Sequence, residues 1–205
     1  MNVTTAAPSA DFGAGHNRPP PPAAVAGNHA RFRSSREAEA RLLLLIDGFS
    51  RKGRDQPRYL EGRVKLAKLD FLLRYPRHLL RVLDDVGVVP DDLAMLNPDE
   101  APLDARMMRY RYGPWDPSYF AVLGSLIGRG LVEVYPLKGR SGFGYRTTDR
   151  GAGLAVDLSR DASFTRTVAR VQLLRRHLDK TGNTLKDYLY RLPEVADASW
   201  HEELT

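Results

Sequence analysis

The stretch that most limits the fold runs from Asp116 to Thr147, where a helical pattern is cut by glycines and followed at once by two strands. Asp116-Pro117 is a helix start signal. An aspartate side chain accepts from the first free backbone N–H groups, and proline suits the first helical position because its missing N–H would have no partner there. Tyr119, Phe120, Leu123, Leu126 and Ile127 then recur at helical spacing and make one apolar face. Gly128-Arg129-Gly130 stops the helix, since glycine takes up the left-handed conformation of helix C-termini at little cost. Leu131–Tyr135 and Phe143–Thr147 read as strands, and the glycine-rich turn between them carries Lys138 and Arg140 at its tip. Thr148-Asp149-Arg150-Gly151 opens another helix, with a hydroxyl or carboxylate available as its cap.

Helix, glycine stop, strand, basic turn, strand is the order of the second half of a winged helix-turn-helix. The expected fold class is therefore mostly α with a small β wing and flanking helices. Leu60 to Val86 supplies the earlier helices: Val64, Ala67, Leu69, Phe71 and Leu72 in one, and Leu79, Leu80, Leu83 and Val86 in the next. The break falls at Tyr75-Pro76, because a residue before proline avoids the helical region. Ser35–Phe49 predicts an additional N-terminal helix, with Ala38, Leu42, Leu45, Ile46 and Phe49 on one face. Residues 1–34, rich in Ala, Gly, Pro, Asn and Ser and carrying a Pro19–Pro22 run, read as a disordered tail. The winged-helix domain is expected over residues 35–158. A C-terminal helical extension over 159–192 holds a long helix from Ser163 to Lys180 and a last one from Thr184, with Thr184 as its cap. An acidic tail over 193–205 is expected to be loosely held.

Composition narrows the chemistry. The chain has no cysteine, which excludes disulfides and thiolate metal sites and fits a reducing cytoplasm. No apolar run approaches the eighteen residues of a bilayer span, and the N-terminus lacks a secretory pattern, so no membrane association is expected. The five histidines are scattered, and His78 is expected to be exposed or to cap a helix. Gly139–Gly144 is glycine-rich but lacks a Walker lysine and sits between two strands, where a wing turn explains it better. No nucleophile and base can be named together, so neither catalysis nor a cofactor is expected. A formal charge of +6 instead makes a polyanion a reasonable partner.

Candidate binding residues fall in two groups. Arg106, Arg109 and Arg111 interleave with Met108, Tyr110 and Tyr112, a pattern that suits a strand with one face buried. Those arginines are either a strip for phosphates or partner carboxylates, or charges that keep a strand edge from pairing. The second group surrounds the helix after Asp116. Its polar positions are Ser118, Ser125 and Arg129, with Ala121 and Gly124 between them, whereas a major-groove reader offers Arg, Lys, Asn or Gln. Lys138, Arg140, Arg146 and Arg150 could hold phosphates, contacts that position a protein without specifying sequence.

Three segments carry a family resemblance: KLAKLDFLLRYP (Lys65–Pro76), MRYRYGPWDPSYFAVLGSLIGRGLVEV (Met108–Val134) and YRTTDRGAGLA (Tyr145–Ala155). Together they resemble the middle component of ABC-three-component systems, bacterial conflict or defence operons, over roughly Glu61 to Leu192. The resemblance implies a small winged-helix protein that accompanies a large ABC or SMC-like ATPase and an effector-bearing subunit, as a non-enzymatic adaptor that also touches DNA. It brings no catalytic residues with it. The alternative is a DNA-binding transcriptional regulator. Double-stranded DNA and a second copy of the chain, paired through the Ser163–Lys180 helix, are compatible partners.

Overall fold

Ten of the fifteen residues of the first helix, α1 (Arg36–Ser50), are buried, so this helix has core on more than one side. Its Leu42-Leu43-Leu44-Leu45-Ile46 run is the reason, since a helix that is apolar around its circumference belongs inside. The computed structural model describes residues 34–50, 58–104, 106–137 and 142–204. The tail expected over 1–34 lies almost wholly outside the described residues, as do Lys138 and Arg140.

After α1 come β1 (Leu60–Glu61), α2 (Gly62–Arg74), α3 (Pro76–Asp85) and the short α4 (Pro90–Leu93). A hairpin of β2 (Met108–Tyr110) and β3 (Gly113–Trp115) leads into α5 (Tyr119–Gly128), then β4 (Val132–Pro136) and β5 (Phe143–Thr147). Four helices close the chain: α6 (Asp149–Arg160), α7 (Thr165–His177), α8 (Gly182–Leu189) and α9 (Pro193–Ala196). The protein is mostly helical, with a small antiparallel sheet in the order β1-β5-β4. Leu60 lies opposite Tyr145, and Tyr145 opposite Val134. Leu60 and Tyr145 are buried, whereas Val134, on the outer strand of the sheet, is exposed. Helix α1 packs against β5, α5, α6 and α7, and is the centre of the fold rather than an addition to it.

Local signals set most boundaries. Tyr75 leaves the helical region (φ −111, ψ 87), so α2 ends and Pro76 starts α3. The Thr148 hydroxyl accepts from Gly151 N (3.0 Å) as the cap of α6, and donates to Gly130 O (2.8 Å) beyond the end of α5. The cap of α8 is Thr181, which accepts from Thr184 N (3.2 Å), three residues earlier than expected. The long helix expected from Ser163 to Lys180 is shorter, entering through a 3-10 turn at Ala162–Phe164 and ending at His177.

Long-range pairing departs further from expectation. The basic strand expected before α5 joins no part of the three-stranded sheet. Met108 pairs with Trp115 and Tyr110 with Gly113 in a separate hairpin that turns at Arg111-Tyr112. The C-terminal segment, expected to be loose, docks along the other side of β2. Arg109 N donates to Glu202 O (2.7 Å), Leu204 N donates to Met107 O (2.7 Å), and Val195 and Leu204 are buried.

Where α6 crosses the start of β4, only glycine fits. A Cβ on Gly151 would lie 1.9 Å from the Leu131 carbonyl oxygen, whereas one on Gly153, in the same helix, would meet nothing within 4 Å. Gly151→Ala should therefore cost about 1–3 kcal/mol or more of stability, because backbone must shift. Gly153→Ala should stabilise by roughly 0.5–1 kcal/mol through helix propensity alone. Urea unfolding of the two variants beside the parent checks both signs.

Candidate interaction surface around helix α5

Five charged side chains and one hydroxyl hold α5 in place. Asp70 and Arg74 lie one turn apart on α2, both wholly buried, with Arg74 Nε 3.1 Å from Asp70 Oδ2. Arg41 on α1 donates from Nε to Asp70 Oδ1 (2.9 Å) and from Nη1 to Asp104 Oδ2 (2.8 Å). Asp104 takes a left-handed backbone (φ 70), which aspartate tolerates better than most residues. Arg74 Nη2 donates to Asp116 Oδ2 (2.5 Å), just before α5, and the Tyr119 hydroxyl on its first turn donates to Asp70 Oδ2 (2.8 Å). Burial holds the Tyr119 hydroxyl well above its ordinary pKa, and the Asp70 carboxylate pushes the same way, so it stays a proton donor. Burial alone would lower the pKa of Arg74; the surrounding carboxylates outweigh it and keep the guanidinium charged.

Asp116 thus serves two structures at once. Its Oδ1 accepts from Ser118 N (2.8 Å), closing the turn at Pro117-Ser118 through which α5 begins at Tyr119, three residues after the aspartate. Ser118 is itself buried. The remaining polar groups expected to read a ligand from this helix are bound within the chain. Arg129 Nη1 donates to Glu39 Oε2 on α1 (2.5 Å), and the Ser125 hydroxyl hydrogen-bonds the same carboxylate.

The other expected site residues are dispersed. Arg109 is only 8% exposed; its Nε donates to Val195 O (2.9 Å), its Nη2 to the Tyr190 hydroxyl (2.8 Å), and its Nη1 to Tyr110 O. That guanidinium is used to dock α9, which removes Arg109 from any surface strip. Arg106 and Arg111 are exposed, Arg111 lying over the Tyr112 ring. Arg146 donates to Glu133 (2.7 Å) and to the Tyr135 hydroxyl (2.8 Å), knitting β4 to β5. Arg150 is exposed and donates to Arg129 O (3.2 Å). His78 is buried, stacked on Phe71 with ring centroids 5.2 Å apart, rather than exposed.

What α5 presents to solvent is apolar. Phe120 is 62% exposed and Ile127 39%, with Gly124 and Gly128 between and beside them. Phe120 also lines a groove of about 190 Å³, together with Arg63, Tyr112, Pro114 and Trp115. Neither a protein-family model, nor a curated protein, nor a solved structure matches the chain. Among the described residues no cluster of His, Asp and Glu is arranged to hold a metal ion, and no helix is long and apolar enough to cross a membrane.

Two outcomes follow from these contacts. Arg74→Met takes the guanidinium from Asp116 and leaves Asp70 and Asp104 to share Arg41 alone, and should cost about 3–5 kcal/mol in urea unfolding at pH 7. The second concerns Glu39, whose burial raises its pKa but whose bonds from Ser34 and Ser125 and the Arg129 charge bring it below the usual 4.5. A depressed folded pKa contributes stability that is present above pH 4.5 and lost as pH falls through the folded value. Glu39→Gln should flatten that part of the stability profile; an unchanged acid limb would show that the tie between α1 and α5 contributes nothing.

Proposed function

We propose that the protein is a non-enzymatic winged-helix adaptor that binds another protein through the outer face of α5. The chain order supports the fold: α1, β1 and α2 precede, and α5, β4 and β5 follow, with β5 between β1 and β4 in the sheet. Residues 75–118 then form an insertion before the helix that would occupy the recognition position. The observation that carries the function is the outer face of that helix. It presents Phe120 and Ile127 where a base reader would present hydrogen-bonding side chains, and its Ser125 and Arg129 are bound to Glu39.

The partner in this proposal is a large ABC or SMC-like ATPase in the cytoplasm, joined through this chain to an effector subunit. The resemblance of Lys65–Pro76, Met108–Val134 and Tyr145–Ala155 to the middle component of ABC-three-component systems supports it. Those segments contain Asp70, Arg74, Asp116 and Tyr119, the residues that fix α5. DNA contact, through Lys138, Arg140 and Arg150, is a secondary and sequence-independent attraction in this account.

Affinity capture from the native cell after nuclease treatment, read by mass spectrometry, tests the proposal. A large ATPase should be retained, and Phe120→Asp or Ile127→Asp should weaken its binding about thirty-fold, the scale of losing one interface hot spot. Lys138→Ala with Arg140→Ala should leave that capture intact. Recovery instead of DNA enriched at one locus, lost with the wing substitutions and indifferent to Phe120→Asp, would make the protein a transcriptional regulator.

A further inference from the structure

A cleft of about 500 Å³ opens between α1, α6 and α7, and it shares no residue with the outer face of α5. Its walls belong to the core. Leu44, Ala155 and Val171 are buried and Val168 is half-buried, and all four are aliphatic. Gly48 on α1 also lines it, and sets how closely α1 and α7 approach, since a Cβ there would lie 2.4 Å from Val171 Cγ1. The volume is that of a small-molecule site, which commonly spans roughly 300–1,000 Å³.

Along α7 the lining changes character. Val168 and Val171 come first, Gln172, Arg175 and Arg176 follow, and Arg58 joins them from the segment before β1. Charge at this rim is not balanced. Asp179 is approached by Lys65 Nζ at 3.1 Å, by Arg58 Nη1 at 3.9 Å and by Arg175. Asp92 faces Arg176 Nη1 at 3.1 Å. Four cations therefore share two carboxylates. The one carboxylate in the lining itself, Asp47, is buried and accepts from the Thr147 hydroxyl (3.0 Å), which still leaves a surplus of positive charge. Arg58 is held most loosely of the four, with half of its side chain exposed and its ion pair the longest. The Gln172 amide makes no hydrogen bond among the described residues.

We propose that this cleft binds a medium-chain aliphatic acid. Its chain lies against Leu44, Ala155, Val168 and Val171, and its carboxylate meets the guanidiniums of Arg58 and Arg175. Aliphatic walls take up a methylene chain by removing it from water. No aromatic ring lines the cleft, so nothing there stacks a base or a sugar. Guanidinium forks bind a carboxylate through paired, charge-assisted hydrogen bonds, and a bound acid brings the rim to three carboxylates for its four cations. The site draws on α1, α6 and α7 alone among the helices, so it stands independently of the adaptor reading.

Octanoate titrated into the full chain, followed by methyl NMR, tests the proposal. The Val168 and Val171 methyls should shift saturably at one site, with a Kd on the order of 0.1 mM for a ligand of this size. Octanol and octylamine, equal in chain but uncharged and cationic, should bind about tenfold more weakly or worse. Arg58→Gln should weaken octanoate about tenfold, the scale of one hydrogen bond to a charged group, and its exposed position leaves the fold intact. No saturable shift at millimolar octanoate would overturn the proposal. Octanol binding as tightly as octanoate would also overturn it, by reducing the cleft to an apolar crevice. So would an affinity indifferent to Arg58→Gln, or shifts confined to the Ile127 methyls, which would move the acid to the outer face of α5.

Discussion

Asp70 and Arg74 are the point on which the rest of the structure depends. Each is fully buried, and their partners come from α1, the segment at Asp104, the turn at Asp116 and the first turn of α5. Removing charges from water is expensive, and a buried ion pair seldom gains more than apolar packing of the same volume would. The network's effect lies in its alternatives. If α5 or the Asp104 segment sat elsewhere, Arg41 or Arg74 would be left buried against fewer carboxylates, at a cost of several kcal/mol. Apolar contacts could tolerate a shifted helix; this arrangement of forks and carboxylates tolerates one position. Three carboxylates face two guanidiniums, and Asp104, with 30% of its side chain exposed, keeps part of its charge in water.

That fixed position decides which face of α5 meets solvent. Tyr119, Val122, Leu123 and Leu126 turn inward, while Phe120, Gly124 and Ile127 turn outward. The helix is therefore apolar on both sides, which a surface helix avoids unless something covers it. Its few polar groups are spent on Glu39, so little is left for base edges. The same geometry places Phe120 in the lining of the groove beside Trp115. The adaptor reading grows from the outward face of this one helix.

Much of the chain's local order was legible from sequence. The Tyr75-Pro76 break, the Gly128-Arg129-Gly130 stop and the Thr148 cap depend on residues within a few positions of one another. What the sequence concealed was long-range. Strand β1 has two residues, too few to show alternation, and only pairing with Tyr145 and Gly144 makes it a strand. Arg109 looked like a surface charge because its partners, Tyr190 and Val195, lie more than eighty residues away. The docking of the acidic C-terminal segment was hidden for the same reason. Leu204 is a single apolar residue, and its place is set by hydrogen bonds to Met107 and Tyr75. Arginine and aspartate, read singly, suggest solvent. Asp70 and Arg74, one helical turn apart within the apolar pattern of α2, were the available sign of a buried pair.

Native-state hydrogen exchange of Asp70→Asn tests the central claim most directly. The substitution keeps the side chain's size and removes the charge that Arg41, Arg74 and Tyr119 share. Amides of α5 and of the β2–β3 hairpin should exchange faster, while those of α6 and α7, which the network does not touch, keep their protection. Unchanged exchange in α5, or an equal loss of protection throughout the molecule, would show that the network does not set the position of this helix.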